Sequence, residues 1–314
     1  MFTIPFNVQR EVTISKPVEE VFAIIADFNS WRLWSPWLCQ EPECPVAIQG
    51  EPGHEGHAQT WDGTRIGSGE MMLMSIESPR HLKYKITFLK PWKSQSKVNF
   101  EFSGEGDNTK VIWSMQGTLP IFMFFMRKMM TALVGSDYER GLAMLKEFAE
   151  AGEVPSKVNV LDEAECEGFY YLGKRRNCSL KDVGSSMEKD FVELHALIEK
   201  EDLPKPDLSF SFYHEYDMIK QRCEYTTGFG YTSKPAVEQE DDLESGKIEK
   251  HKALRVDHLG AYRHLGNGWS TAHGLLRAKK QKASKSIPMY EIYENFPGEV
   301  DEKDILTKIH IPIM

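Results

Sequence analysis

Long hydrophobic runs are missing from this chain. Its most apolar stretch, Ile121 to Phe125, meets Arg127 and Lys128 almost at once, well short of the about 20 residues that cross a bilayer. No membrane span is expected. Cysteine is scarce: Cys39, Cys44, Cys166, Cys178 and Cys223 are odd in number and scattered, which argues against a disulfide scaffold and for free thiols in a reducing compartment. The stretch Met1-Phe-Thr-Ile-Pro-Phe-Asn-Val-Gln-Arg10 has no basic start, apolar segment or small-residue cleavage site, so the expected location is cytoplasmic. Positive charge is in deficit: 38 Lys plus Arg against 47 Asp plus Glu leave a formal charge of -9. Such a molecule repels phosphate backbones and anionic bilayers as a whole, and neither a nucleic-acid nor a membrane partner is expected. Zinc-knuckle spacing is absent too. Cys39 and Cys44 are separated by Gln40, Glu41, Pro42 and Glu43 with no knuckle glycine before His54 and His57, and no metal or other cofactor is expected.

What is present is an ordinary folded composition, 41% hydrophobic and 27% charged, with 23 Gly and 16 Pro spread along the chain. Disorder and fibrous structure are excluded. At 314 residues the chain is long enough for two domains of about 100 to 200 residues each. Phe6 to Ile14 alternates apolar and polar side chains as a half-buried strand does. Ser15 offers a helix N-cap hydroxyl, Pro17 suits a first turn, and Val18, Val21, Phe22 and Ile25 form one apolar stripe. Strand signals broken by Gly63, Pro79, Pro91 and a turn at Gly104 to Asn108 follow, then a long helical pattern from Pro120 to Ala151 with Met123, Met126, Met130, Leu133, Leu142, Leu145 and Phe148 on one stripe. Trp61, Met74, Phe88, Trp113, Met126 and Met130 supply bulky apolar surface, suited either to a cavity wall or to a filled core.

The order strand, helix, many strands, long helix, together with Trp34-Ser-Pro-Trp37, Trp61-Asp-Gly63, Gly67-Ser-Gly-Glu70 and Glu139-Arg-Gly-Leu142, resembles the SRPBCC superfamily in its polyketide-cyclase-like branch. That resemblance implies a helix-grip α+β domain over residues 1–151, whose antiparallel sheet and long helix enclose an apolar ligand cavity lined by those six residues.

Residues 152–167, with Gly152, Pro155 and the acids from Asp162 to Glu167, lose periodicity and are expected to form a linker. Beyond it the pattern is written twice. A strand at Phe169 to Gly173, a helix at Ser185 to Lys200 and strands at Ser209 to Tyr216 and Arg222 to Tyr231 are echoed by Ala253 to His258, Trp269 to Gln281, Met289 to Glu294 and Ile305 to Ile313. A doubled βαββ unit about a local two-fold leaves a seam between its helices. His258-Leu-Gly-Ala-Tyr262, Trp269, Tyr290-Glu-Ile-Tyr-Glu-Asn-Phe-Pro297 and Thr307-Lys-Ile-His-Ile-Pro312 resemble the GyrI-like effector-binding domain over about residues 158–314, and the domain itself is expected at residues 168–314. The resemblance implies a small-molecule pocket at the pseudo-two-fold with Glu291 at its floor.

Strand alternation sends Glu291 and Tyr293 to one face. Superposing the repeats brings Phe210-Ser-Phe-Tyr213 over Tyr290-Glu-Ile-Tyr293, so Ser211 and Tyr213 share that face across the seam, with Tyr262 and Trp269 toward its entrance. A carboxylate ringed by aromatics is partly desolvated, and an arriving lipophilic cation suits it through charge pairing and ring faces. The same group suits a general base or nucleophile toward a strained ring, with Tyr213 or Tyr293 as proton donor. A third reading is an adaptor that acts on a protein partner through its acidic surface, as gyrase-inhibitor relatives do. The residues leave binding and catalysis open; the leading expectation is a protein that senses or sequesters small hydrophobic or cationic molecules. His258 is expected to be structural, the basic run Arg277 to Lys285 solvated, and the acidic Ser233 to Lys250 connection an entry loop. No helix-turn-helix precedes the second half, so direct transcriptional control is not expected.

Overall fold

The computed structural model describes residues 3–236 and 242–314, without the side chain of residue 105. It divides into two compact units, residues 1–154 and 155–314. The first contains strand β1 (Thr3–Ile14), helices α1 (Val18–Ala26) and α2 (Trp31–Trp34), strands β2 (Val46–Gln49), β3 (Ala58–Asp62), β4 (Ser68–Glu77), β5 (His81–Lys90), β6 (Ser94–Glu105) and β7 (Asn108–Pro120), and helix α3 (Arg127–Ala151). Its seven strands form one antiparallel sheet in the order β1-β7-β6-β5-β4-β3-β2. Ser15 does not cap α1: Pro17 takes the N-cap position, and the Ser15 backbone N–H instead donates to Glu150 Oε1 at 2.6 Å. An acid at the end of α3 thus pins the β1 to α1 turn to the long helix.

The long helix is shorter than its pattern predicts. Residues Ile121–Met126 form a 3-10 segment with non-helical Met123, and burial on α3 begins only at Gly135, continuing through Tyr138, Gly141, Leu142, Met144 and Leu145. Gly141 explains the grip. A Cβ there would lie 2.8 Å from the Trp113 ring and 2.9 Å from Pro36, so its absence lets α3 settle directly onto the sheet. Trp113 is accordingly a core residue, stacked on Tyr138 at 3.9 Å and on Phe100 at 5.0 Å. Trp61 and Phe88 are half-buried, with ring centroids 6.4 Å apart, and pack against this core; Met126 and Met130 are half-buried near the start of the helix. Met74 is a correction to the cavity expectation: it is 50% exposed. Plain alternation along β4 puts Gly69, Met71 and Leu73 inside and Met74 outside, and the strand's register shift falls at Met74, between Leu73 and Ser75.

The second unit comprises β8 (Ser156–Cys166), β9 (Phe169–Ser179), α4 (Val183–Lys200), β10 (Leu208–Asp217), β11 (Arg222–Tyr231), β12 (Leu243–Ile248), β13 (His251–Gly260), α5 (Leu265–Ala278), β14 (Met289–Tyr293) and β15 (Leu306–Pro312). These strands form one sheet in the order β12-β9-β11-β10-β14-β15-β13-β8. The expected βαββ duplication is there, with its pseudo-two-fold between β10 and β14. Two strands were not expected. Residues 152–167 are not a linker, because β8 occupies most of that stretch and pairs with β13 from Cys166 to Ser156. The acidic 233–250 connection likewise contains β12, paired with β9; its residues 237–241 lie outside the described residues. Both are outermost strands, where charged side chains suit solvent and guard against edge pairing, and that charge masks their strand character in the sequence.

β8 and β9 are separated only by Glu167 and Gly168, a reach of at most about 11 Å, yet stand six places apart in the sheet order, about 29 Å if the sheet were flat. The sheet therefore curls. Its inner face gathers Phe169, Phe210, Phe212, Ile248 and Tyr290, with Phe169 and Tyr290 rings 6.2 Å apart. On the other face α4 packs Leu194 and Leu197 against Leu172 and Phe229, and α5 packs Ala272 and Leu275 against Leu254, Val256, Ile309 and Ile311. Between the helices, over β10 and β14, runs the seam.

Candidate functional site

In the β10 to β14 pairing, Ser211 lies directly opposite Glu291, and Phe210 and Phe212 lie opposite Ile292 and Tyr290. Alternation then assigns the faces: phenyl rings to the inner core, Ser211, Tyr213, Glu291 and Tyr293 to the seam. The structure brings all six seam residues named from the sequence together. Glu291 is 1% exposed. Its carboxylate accepts from the Tyr293 hydroxyl at 2.6 Å and from the Trp269 indole N–H, and the Tyr213 phenol also stabilises its charge. Tyr213 and Trp269 meet edge to face at 5.3 Å, and Tyr262 meets Tyr293 at 5.9 Å. Ser211 extends the network, 2.9 Å from the Tyr293 hydroxyl and 2.8 Å from Thr227 Oγ1; Thr227 donates onward to the Phe210 carbonyl at 3.0 Å.

Helix α5 reaches this position because Gly268 lies against the sheet. A Cβ there would fall 2.6 Å from Ile309 and 3.2 Å from His258, so any larger residue would lift the helix and withdraw Trp269 from the carboxylate. The two repeats use their helices alike. Trp269 is the fifth residue of α5 and Met187 the fifth of α4; Trp269 serves Glu291, while Met187 Sδ lies 3.8 Å from Ser211 Oγ. Met187 was missed in the sequence, although register between the repeats could have found it. Phe191 and Phe296 were missed as well. Phe191 contacts Tyr293 at 5.8 Å and Phe296 at 5.7 Å, completing an aromatic wall that is half-buried at Tyr213, Tyr262, Trp269, Phe191 and Phe296 and closed at its floor.

Burial pushes the Glu291 carboxyl above the ordinary range, while donors from Tyr293, Trp269 and Tyr213 pull the other way. Desolvation wins. Burial likewise raises the phenols of Tyr213 and Tyr293, with the adjacent carboxylate adding to the effect, so both remain protonated donors. Among the described residues no basic side chain forms an ion pair with Glu291. The site is a buried carboxyl held by neutral donors and walled by rings, with its charged form favoured only when a positive partner arrives. Chemically, it can neutralise a cation, accept a proton or present a carboxylate nucleophile.

Other conspicuous groups stabilise the fold. His258 is buried with Nε2 3.0 Å from Ser156 Oγ, and burial lowers its pKa to about 4, so it sits neutral between β13 and β8. His57 accepts from the Phe28 backbone N–H at 3.1 Å. Glu41 is buried but receives the backbone N–H groups of Thr64, Arg65 and Ile66 at 2.8, 2.9 and 3.1 Å, which holds its pKa below the usual value despite burial. Among the described residues no cluster of three His, Cys, Asp or Glu side chains is arranged to hold a metal, and no helix is long and apolar enough to cross a membrane.

Residues 5–150 match the family described as polyketide cyclase / dehydrase and lipid transport, and residues 163–314 match the GyrI-like small molecule binding domain. The chain joins one domain of each family. The SRPBCC-type half carries the helix-grip arrangement, and the GyrI-like half carries the duplicated sheet with Glu291 in its seam. Both are families of small-molecule-binding domains. No curated protein matches the chain. Solved structures similar to it include CalU16 from Micromonospora echinospora, at 20% identity over 48% of this chain and 88% of that one, with a TM-score of 0.33. Another is the Aha1 dimer from Colwellia psychrerythraea, at 15% identity over 47% of this chain and 98% of that one, with a TM-score of 0.36.

Proposed function

We propose that the protein senses or sequesters small lipophilic cations in the seam of its GyrI-like half, with Glu291 as counter-ion and Tyr213, Tyr262, Trp269 and Tyr293 as walls. One observation carries this reading: a carboxylate with 1% exposure is held by an indole N–H and a phenol with no basic partner among the described residues. Such an arrangement holds the carboxyl in place with its charge disfavoured by burial and uncompensated. A cation arriving with its own apolar surface supplies the missing charge and offers its faces to the rings. The half-buried Trp269 holds the carboxylate through its indole N–H, so entry requires that ring to swing aside; the ligand then replaces the indole N–H as partner of the carboxylate.

The test is thermal unfolding of the wild type and Glu291→Gln with a panel of lipophilic cations and strained-ring electrophiles, with product formation followed in parallel. Stabilisation by cations that Glu291→Gln abolishes, without turnover, supports the receptor. Turnover of an electrophile that the substitution abolishes assigns Glu291 a catalytic role instead. Melting temperatures unmoved by every compound contradict both.

A further inference from the structure

The segment between β7 and α3 exposes an unusual amount of apolar surface. Ile121, Phe122, Phe124 and Phe125 are 52%, 63%, 65% and 69% exposed in a 3-10 segment with no buried residue. Lone exposed apolar residues are common, but four within five positions are not, and contiguous patches of this kind mark docking sites. Strand register extends the patch. Ser96 lies opposite Gly117, Ser94 opposite Phe88, and Thr3 opposite Pro120. The β5 to β6 turn, with Leu89 49% and Trp92 46% exposed, therefore projects from the same end of the sheet as Ile121–Met126.

Charge at this end runs against that of the chain. Residues 88–98 and 117–134 together hold Lys90, Lys93, Lys97, Arg127 and Lys128 and not one Asp or Glu, within a protein of net charge -9. Lys90 pairs with Asp62 at 2.8 Å; among the described residues no acid pairs with the other four. Aromatic and aliphatic tips beside unpaired cations suit one kind of surface, the headgroup boundary of an anionic bilayer, where rings enter the acyl edge and ammonium and guanidinium groups meet phosphates. A soluble acidic partner would match the cations but leave the phenyl rings without a purpose.

We propose that this end of the first sheet is a peripheral docking surface for anionic lipid bilayers, with Phe122, Phe124, Phe125 and Trp92 inserting and Lys93, Arg127 and Lys128 at the headgroups. The whole-chain charge, which argues against a membrane partner, conceals this local reversal. Docking here is independent of the Glu291 site.

The test is co-sedimentation of the full chain with vesicles of phosphatidylcholine alone or with about 30 mol% phosphatidylglycerol, at about 0.1 M and 0.5 M salt. Binding is expected on the anionic vesicles, falling steeply at high salt. The double variant Phe122→Ser/Phe125→Ser should weaken it by about tenfold or more per ring, and Arg127→Gln/Lys128→Gln by about fivefold per charge. Neither pair touches the core, and an unchanged melting temperature checks that. Equal binding to neutral vesicles, or no loss in either variant, overturns the proposal. So does a wild-type dimer in size-exclusion chromatography that Phe122→Ser/Phe125→Ser dissolves, because the patch would then be covered by a second copy.

Discussion

Replacing Trp269 with Phe keeps a ring in the wall and deletes the one N–H that reaches Glu291 Oε1. Two costs follow, and pH separates them. The smaller ring leaves a void whose cost is the same at every pH. The lost hydrogen bond to a charged acceptor costs about 1.5 to 3 kcal/mol, but only while Glu291 is ionised. The folded-state pKa of Glu291 already lies above its ordinary value because of burial; losing a donor to the anion raises it further. A raised acid contributes stability that is complete below its unfolded pKa and lost as pH rises through the folded pKa. The stability gap between wild type and Trp269→Phe should therefore be smallest in acid, where both carboxyls are protonated. It should widen by about 1.5 to 3 kcal/mol once pH exceeds both folded pKa values. Urea unfolding at a series of pH values, from about 4 up to the alkaline limit at which the fold survives, measures it. A gap that is flat across this range would refute the reasoning, since the indole would then be acting as filler alone.

Three further outcomes are expected. Glu291→Gln removes the titration, so its stability relative to wild type should improve as pH rises, by about 1.4 kcal/mol for each unit by which burial lifts the wild-type pKa; denaturant titrations of the pair check this. Gly141→Ala forces a methyl into Trp113 and Pro36 and should cost about 1 to 3 kcal/mol, read as a lower melting temperature and weakened near-ultraviolet dichroism from the stacked Trp113. Tyr225→Phe removes the hydroxyl that donates to buried Asp190 Oδ2 at 2.8 Å and should cost about 1 to 2 kcal/mol, measured by urea unfolding.

The floor of the seam was legible because it depends on period-two alternation and on the internal repeat. Once Phe210-Ser-Phe-Tyr213 is laid over Tyr290-Glu-Ile-Tyr293, the shared face of Ser211, Tyr213, Glu291 and Tyr293 follows, and β10 does pair with β14 with Ser211 opposite Glu291. The wall was less legible. Phe191 and Phe296 approach Tyr293 from a helix and from the turn after β14, and contacts of that kind depend on packing. The edge strands β8 and β12 were hidden for another reason: their acids and lysines read as linker because outer strands are wet. In the first half, the apolar stripe on α3 was continued back to Met123. There the sequence is apolar but the structure turns it outward, and periodicity alone cannot distinguish a face that meets the sheet from one that meets something else.

The most direct measurement is calorimetric titration, at about pH 5 and pH 8, of an aromatic quaternary ammonium and its neutral carbon isostere, which share shape and differ by one charge. The account predicts that the cation binds more tightly than the isostere, more so at the higher pH, with a proton released on binding where Glu291 is still protonated, and that Glu291→Gln erases the difference between the two compounds. Equal affinity for the two ligands in the wild type, or a preference for the cation that persists in Glu291→Gln, would contradict it.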